Sequence, residues 1–138
     1  MQEVYIYGAK RSPIGSLGGT LSSIPATTLA SLVAKEALKE SGFNGSLVDT
    51  CIVGNVISAG LKQAPARQVA LHANLPKSVA CMLVNEVCGS GLRSVMLGAG
   101  SITLGRSRAA LVGGMENMSL APHLLMGSRS GFKLGILN

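Results

Sequence analysis

The stretch Val79-Ala80-Cys81-Met82-Leu83-Val84-Asn85-Glu86-Val87-Cys88-Gly89-Ser90-Gly91-Leu92 changes character at Cys88. Up to Val87 the residues are mostly apolar, several of them β-branched, and they read as a strand over Val79–Val87. From Cys88 to Leu104 the pattern reads as a helix, although Gly89, Gly91, Gly98 and Gly100 each weaken it by about 1 kcal/mol. A helix so rich in glycine makes sense where it is buried and its small residues let neighbouring backbones approach. The run Cys81–Val84, apolar throughout, predicts burial on both faces, as in a parallel sheet covered on two sides. Strand, small-residue turn and helix therefore follow one another with a cysteine at the joint.

Outward from this joint the same alternation repeats. Val4–Ala9 reads as a short first strand, ended by Lys10, Arg11 and Pro13, and Gly15–Ser23 reads as a loop. Ala26–Ser41 has Leu29, Leu32, Val33, Ala37 and Leu38 at helical spacing, with Gly42 placed as a C-terminal stop. Thr50–Val56 is a second strand, and Pro65 opens a helix running to about Ala73, closed by Asn74 and Pro76. Arg108–Gly113 is the fourth strand, with loop from Gly114 onward. The order β-α-β-α-β-α-β predicts a layered α/β domain with a mainly parallel sheet.

Composition narrows the class. The chain has 138 residues, 47% of them apolar, which excludes disorder. Charged residues are 13%, about half the usual share of roughly 25%, and a surface so poor in charge suggests one that is normally covered. Three cysteines without a cleavable leader argue against a disulfide-stapled secreted module and for a cytoplasmic, reduced-thiol setting. A membrane span is not expected, because the uncharged run Ser12–Ala34 is broken by Pro13, Pro25, glycines and hydroxyls. The net charge of +6 includes no basic run longer than Lys10–Arg11 and no interleaved aromatics, so no nucleic-acid partner is expected. A modest bias towards an anionic small molecule survives.

The chemistry concentrates at Cys88. A cysteine delivered by a strand into a sharp turn before a helix has the geometry of a nucleophile elbow. Gly89 and Gly91 are expected to permit that turn and to let a substrate carbonyl approach the backbone. The helix start offers free N–H groups and the positive end of a dipole, which favour thiolate and donate to a developing oxyanion. Cys51 and Cys81 lack a glycine turn and read as small core residues. A rival reading takes Gly89-x-Gly91 as a dinucleotide-phosphate loop with Glu116 as the ribose-binding acid, but Ser94 stands where the third glycine belongs. Met115 and Met118 read as packing and His72 as solvated, while His123 falls outside any motif. No metal site is expected.

Four stretches together resemble the thiolase family. The first is Val84-Asn85-x-x-Cys88-Gly89-Ser90-Gly91-Leu92-x-Ser94-Val95 with Ile102, similar to the acyl-enzyme cysteine signature. The others are Lys10–Gly15 with Gly18-Gly19, Gly54-Asn55-Val56 followed by Pro65-Ala66-Arg67-Gln68, and Gly113–Ser119 with Ala121-Pro122. The resemblance spans essentially the whole chain. It implies a thiolase-like layered α/β half, with a mostly parallel mixed sheet between helices. On this basis residues 1–120 are the domain with the nucleophile, 121–138 begin a loop excursion, and the C-terminal half is absent.

The chemistry implied is a Claisen condensation of two acetyl-CoA to acetoacetyl-CoA, and the reverse thiolysis. Cys88 would hold the acyl group as a thioester, and its backbone N–H would face the oxyanion. Coenzyme A thioesters are then substrates, with no covalently bound cofactor. A 3-ketoacyl-CoA thiolase of broader chain length and a non-catalytic half-thiolase assembly module are the alternatives. A decarboxylating or lipid-condensing relative is disfavoured by the Gly113–Ser119 turn. The resemblance also implies a homodimer or homotetramer built across the third strand. The family's Gly-His-Pro segment, second catalytic cysteine and thioester-binding asparagine do not occur in these residues, so this stretch alone is expected to turn nothing over. Glu86 stands out, because a carboxylate near Cys88 would oppose a thiolate; it is expected at an interface or behind the site.

Overall fold

The computed structural model describes residues 3–131. Three helices alternate with three strands: α1 (Ala26–Ser41), β1 (Thr50–Gly54), α2 (Pro65–His72), β2 (Ala80–Val84), α3 (Ser90–Thr103) and β3 (Ala110–Gly114). The sheet has the order β2-β1-β3, and both pairings are parallel. In register, Cys51 faces Cys81 and Leu111, and Gly54 faces Val84 and Gly114. The expected α/β architecture is present, with helices on both sides of the sheet.

The two faces are built differently. Side chains alternate across a strand, so Cys51 and Val53 point one way and Ile52 the other. On the first face they meet α2, giving a buried core of Cys51, Val53, Ala66, Val69, Ala70 and Leu75. Behind it α1 packs on α2 through its small buried residues Ala26, Thr27, Ser31 and Ala34. That is not the face expected from leucine spacing. Leu32 is 53% exposed, and with Leu29 and Val33 it lines a groove of about 440 Å³. Small residues win the interface because they let the two helices approach closely. At its C-terminus α1 stops as expected, on Gly42 in the left-handed region at φ 64°.

On the second face α3 lies over β1 and β3. A Cβ on Gly98 would come within 2.5 Å of Val112 Cγ1, and one on Gly114 within 3.1 Å of the Gly91 Cα. The glycines of α3 thus serve close approach at Gly91 and Gly98, though Gly100 has open space beside it. Ser94, fully buried, has its Oγ 2.7 Å from the Gly91 carbonyl and 2.8 Å from the Gly113 carbonyl, so one hydroxyl proton serves the helix and β3.

Two expectations are corrected. Val4–Ala9 forms no strand: Tyr5, Ile6 and Tyr7 are 68, 80 and 68% exposed. The segment lies on α1 instead, with Tyr7 against Phe43 at a ring-centre distance of 5.3 Å and Gly8 backed onto Ala37 and Ser41. Its composition suits a strand, but a strand also needs another backbone alongside to take its hydrogen bonds, and this segment is seated against α1 and pairs with none of the three strands. Nor is β2 buried on both faces, since Met82 is 52% exposed. It is an edge strand, and α3 covers the other two strands in preference to it. After β3 the chain continues in loop and single turns, as expected; Gly135 in that tail lies outside the described residues.

Candidate active site

β2 ends at Val84, three residues earlier than the apolar run suggests, because Asn85, Glu86 and Val87 turn back to start α3. The turn is tied at each step. Val87 N–H donates to Asn85 Oδ1 at 3.0 Å, Gly89 N–H to the Glu86 carbonyl at 3.1 Å, and Ser90 N–H to the Val87 carbonyl at 3.1 Å. Ser90, buried, closes it from inside: its Oγ accepts the Glu86 N–H at 2.9 Å and donates to the Val87 carbonyl at 2.5 Å. Cys88 stands at the apex with its side chain exposed.

The strain of this turn is not where the glycines are. Val87 has φ +51°, a left-handed conformation that a β-branched residue adopts only under constraint. Gly89 is at φ −80°, and Gly91 lies within α3. Their contribution is lack of bulk: Gly91 abuts Gly114, and a Cβ on Gly89 would come 3.3 Å from the Glu86 carbonyl oxygen. Sequence reading missed Gly54, where a Cβ would sit 2.4 Å from the Ser90 carbonyl carbon. With Gly54 and Gly114 ending adjacent strands, α3 starts directly on the sheet and the Cys88 turn is held at the strand ends. The available signal was a glycine closing the apolar strands β1 and β3, which marks a close backbone approach.

The electrostatics also differ from a bare reading of the residues. Glu86 is paired with Arg93, which donates Nη2 to Oε1 at 2.7 Å and Nε to Oε2. That hydrogen bond holds the Glu86 carboxyl below its ordinary range, and the Arg93 charge offsets the carboxylate beside Cys88. No side chain caps α3, and the N–H groups of Cys88, Gly91 and Leu92 have no acceptor among the described residues. Free N–H groups at a helix start are donors for an anion or a polarised carbonyl.

The rival dinucleotide reading is not supported. The Glu116 carboxylate accepts from Asn55 Nδ2 at 2.8 Å, Val56 N–H at 2.9 Å and Ile57 N–H at 3.3 Å, so it is occupied in holding the loop after β1. Asn117 does the same for another loop: its Nδ2 lies 3.2, 3.1 and 2.7 Å from the carbonyls of Leu21, Ser22 and Ile24. Ser119 Oγ accepts the Gly18 N–H at 2.9 Å. The Gly113–Ser119 turn is therefore a clamp that joins the loop before α1 to the loop after β1. Met115 is buried there, whereas Met118 is 65% exposed and packs little. His72 and His123 are exposed and distant in role from the turn. No group of three or more His, Cys, Asp or Glu able to hold a metal occurs among the described residues.

Comparison with known proteins agrees with this geometry. Residues 4–136 match the family described as thiolase, N-terminal domain. The chain is 47% identical over 135 residues to an acetyl-CoA acetyltransferase from Cupriavidus necator, covering 98% of this chain and 34% of that protein. It is 48% identical over 134 residues to acetyl-CoA acetyltransferase 2 from Arabidopsis thaliana, covering 97% and 33%. The fold superimposes on a thiolase from Ascaris suum, solved in complex with coenzyme A, with a TM-score of 0.88 and 42% identity over 91% of this chain and 33% of that one. The chain thus spans about a third of the length of these relatives. With almost every residue matched and the fold shared, the chain belongs to the thiolase family, as its N-terminal domain.

Proposed function

We propose that this chain is the nucleophile-bearing part of an acetyl-CoA acetyltransferase. One observation carries the reading: an exposed Cys88 on a strained turn at the start of α3, within a chain of the thiolase family. Cys88 sulfur attacks the carbonyl carbon of an acetyl-CoA, the C–S bond to coenzyme A breaks, and the acetyl group stays on Cys88 as a thioester. The backbone N–H of Cys88, which has no acceptor among the described residues, donates to the oxyanion formed on the way. An α-carbanion of a second acetyl-CoA then attacks that thioester, releasing Cys88 and giving acetoacetyl-CoA; thiolysis runs the reverse way. Relatives named acetyl-CoA acetyltransferase favour this over a thiolase of broader chain length. Gly89 and Gly91 act by leaving room at the turn. Coenzyme A thioesters are the substrates, and the role lies in fatty acid metabolism.

The same reading assigns residues 1–120 to the domain with the nucleophile and 121–138 to the start of a loop excursion. It places the protein in the cytoplasm, in keeping with three free cysteines. No helix among the described residues is long and apolar enough to cross a membrane. Assembly as a homodimer or homotetramer is supported by the open edge of β2 and its exposed Met82. The direct test is to incubate the chain with acetyl-CoA and locate acetyl groups by peptide mass. Acetylation of Cys88, lost in Cys88→Ala, is the expected result. Acetyl groups spread over Cys51, Cys81 and lysines, with Cys88 unmodified, would overturn the assignment.

A further inference from the structure

The sheet brings two other cysteines side by side, away from the Cys88 turn. β1 and β2 pair in parallel with Cys51 opposite Cys81. Strand alternation sends both side chains to the face under α2, where Cys51 Sγ lies 3.8 Å from the Ala66 carbonyl oxygen and Cys81 Sγ 3.6 Å from that of Val79. Neighbouring strands run about 4.8 Å apart, within the roughly 4.4–6.8 Å between Cα atoms that a disulfide spans. Both thiols are free; Cys51 is fully buried and Cys81 half-buried. Burial, with a smaller contribution from Cys81, pushes the Cys51 thiol up to about 12, so it is inert towards reagents from solution. The accessible member of the pair is Cys81.

We infer that Cys51 and Cys81 form a second thiol site, a dithiol that closes into a disulfide between neighbouring strands on meeting a peroxide. The Cys81 thiolate attacks a peroxide oxygen; the O–O bond breaks, an S–O bond forms, and the hydroxide released takes up the Cys81 proton as water. Cys51 sulfur then attacks Cys81 sulfur. The S–O bond breaks, and hydroxide leaves with the Cys51 proton as a second water. The two thiols lose two electrons and two protons, and the peroxide becomes two waters. The new bond links the central strand to the edge strand that runs into the Cys88 turn.

The test uses hydrogen peroxide on the chain with Cys88→Ala, and on the unsubstituted chain with Cys88 first blocked by iodoacetamide. The expected result in both is loss of both remaining thiols and one intramolecular peptide linking Cys51 to Cys81, formed while the far-ultraviolet circular dichroism stays native. Cys81→Ser is expected to abolish the linked peptide and leave Cys51 a free thiol. Oxidation of Cys81 to sulfinic acid with Cys51 still free would overturn the inference. So would a linked peptide that appears only after unfolding in urea.

Discussion

Val87 is the residue on which the Cys88 turn depends, and it is held in a conformation that costs an L-residue roughly 1–2 kcal/mol. It is 64% exposed, so replacing it loses little burial. Val87→Gly is therefore expected to leave the thermal midpoint unchanged or raise it, because relief of strain offsets glycine's extra chain entropy of about 1 kcal/mol. The same change at buried Val53 is expected to destabilise by several kcal/mol, as large-to-small core changes do (about 2–5 kcal/mol). A marked loss at Val87, seen by thermal denaturation, would show that the turn is not strained. Thiol reactivity follows the same local facts. Iodoacetamide is expected to label Cys88 first, half-buried Cys81 next and Cys51 last, as read by peptide mass on the native chain. Equal rates at the three thiols would count against an accessible turn.

Among the elements, the contact of α3 with the strand ends is the one least able to yield. Its closest approach is backbone on backbone, so Gly54→Ala is expected to destabilise by about 1–3 kcal/mol or more. Gly113→Ala supplies the control, since a Cβ there meets nothing within 4 Å; its effect is expected within about 0.5 kcal/mol. Chemical denaturation of the two variants side by side checks both. At the opposite end of the sheet Asp49 joins β1 to the entry of β3, accepting from Ser107 Oγ and from Arg108 N–H at 3.1 Å. Burial pushes its carboxyl up, but these hydrogen bonds prevail and hold it below the ordinary range. A carboxyl lowered in the folded state stabilises above its unfolded value of about 4 and loses that contribution as pH falls through its folded value. Asp49→Asn is thus expected to cost about 1 kcal/mol at neutral pH, after discount for exposure, and to flatten the loss of stability below about pH 4. Parallel acid limbs for Asp49→Asn and the unsubstituted chain would remove Asp49 from the account.

For the molecule as a whole, the prominent property is apolar surface left open. Met82 on β2 and Leu92 and Met96 on α3 are 52, 68 and 56% exposed, and among the described residues β2 has one edge without a strand partner. An edge strand with exposed apolar side chains is a template for pairing. Self-association is therefore expected, visible as a concentration-dependent sedimentation coefficient and weakened by Met82→Lys. A clean monomer at every concentration would reject it.

Residue pattern alone determined the order of helices and strands from Ala26 onward, the boundaries of α1 and the glycine that stops it, and the position of Cys88 at a strand-to-helix joint. These are local matters, set by spacing, capping and turn chemistry within a few residues of chain. Val87 as the left-handed residue, Gly54 and Gly114 as the floor under α3, and Glu116 and Asn117 as loop clamps were decided only by tertiary structure. The glycine floor and the clamps depend on atoms from segments far apart in the chain, whose meeting no local pattern encodes. Val87 takes its conformation from the hydrogen bonds that Asn85, Glu86 and Ser90 make around it, a folded turn that residue propensity does not indicate. The segment Val4–Ala9 marks the boundary between the two. Its side chains suit a strand, but a strand exists only where another backbone lies alongside to accept its hydrogen bonds, and here the segment is seated on α1.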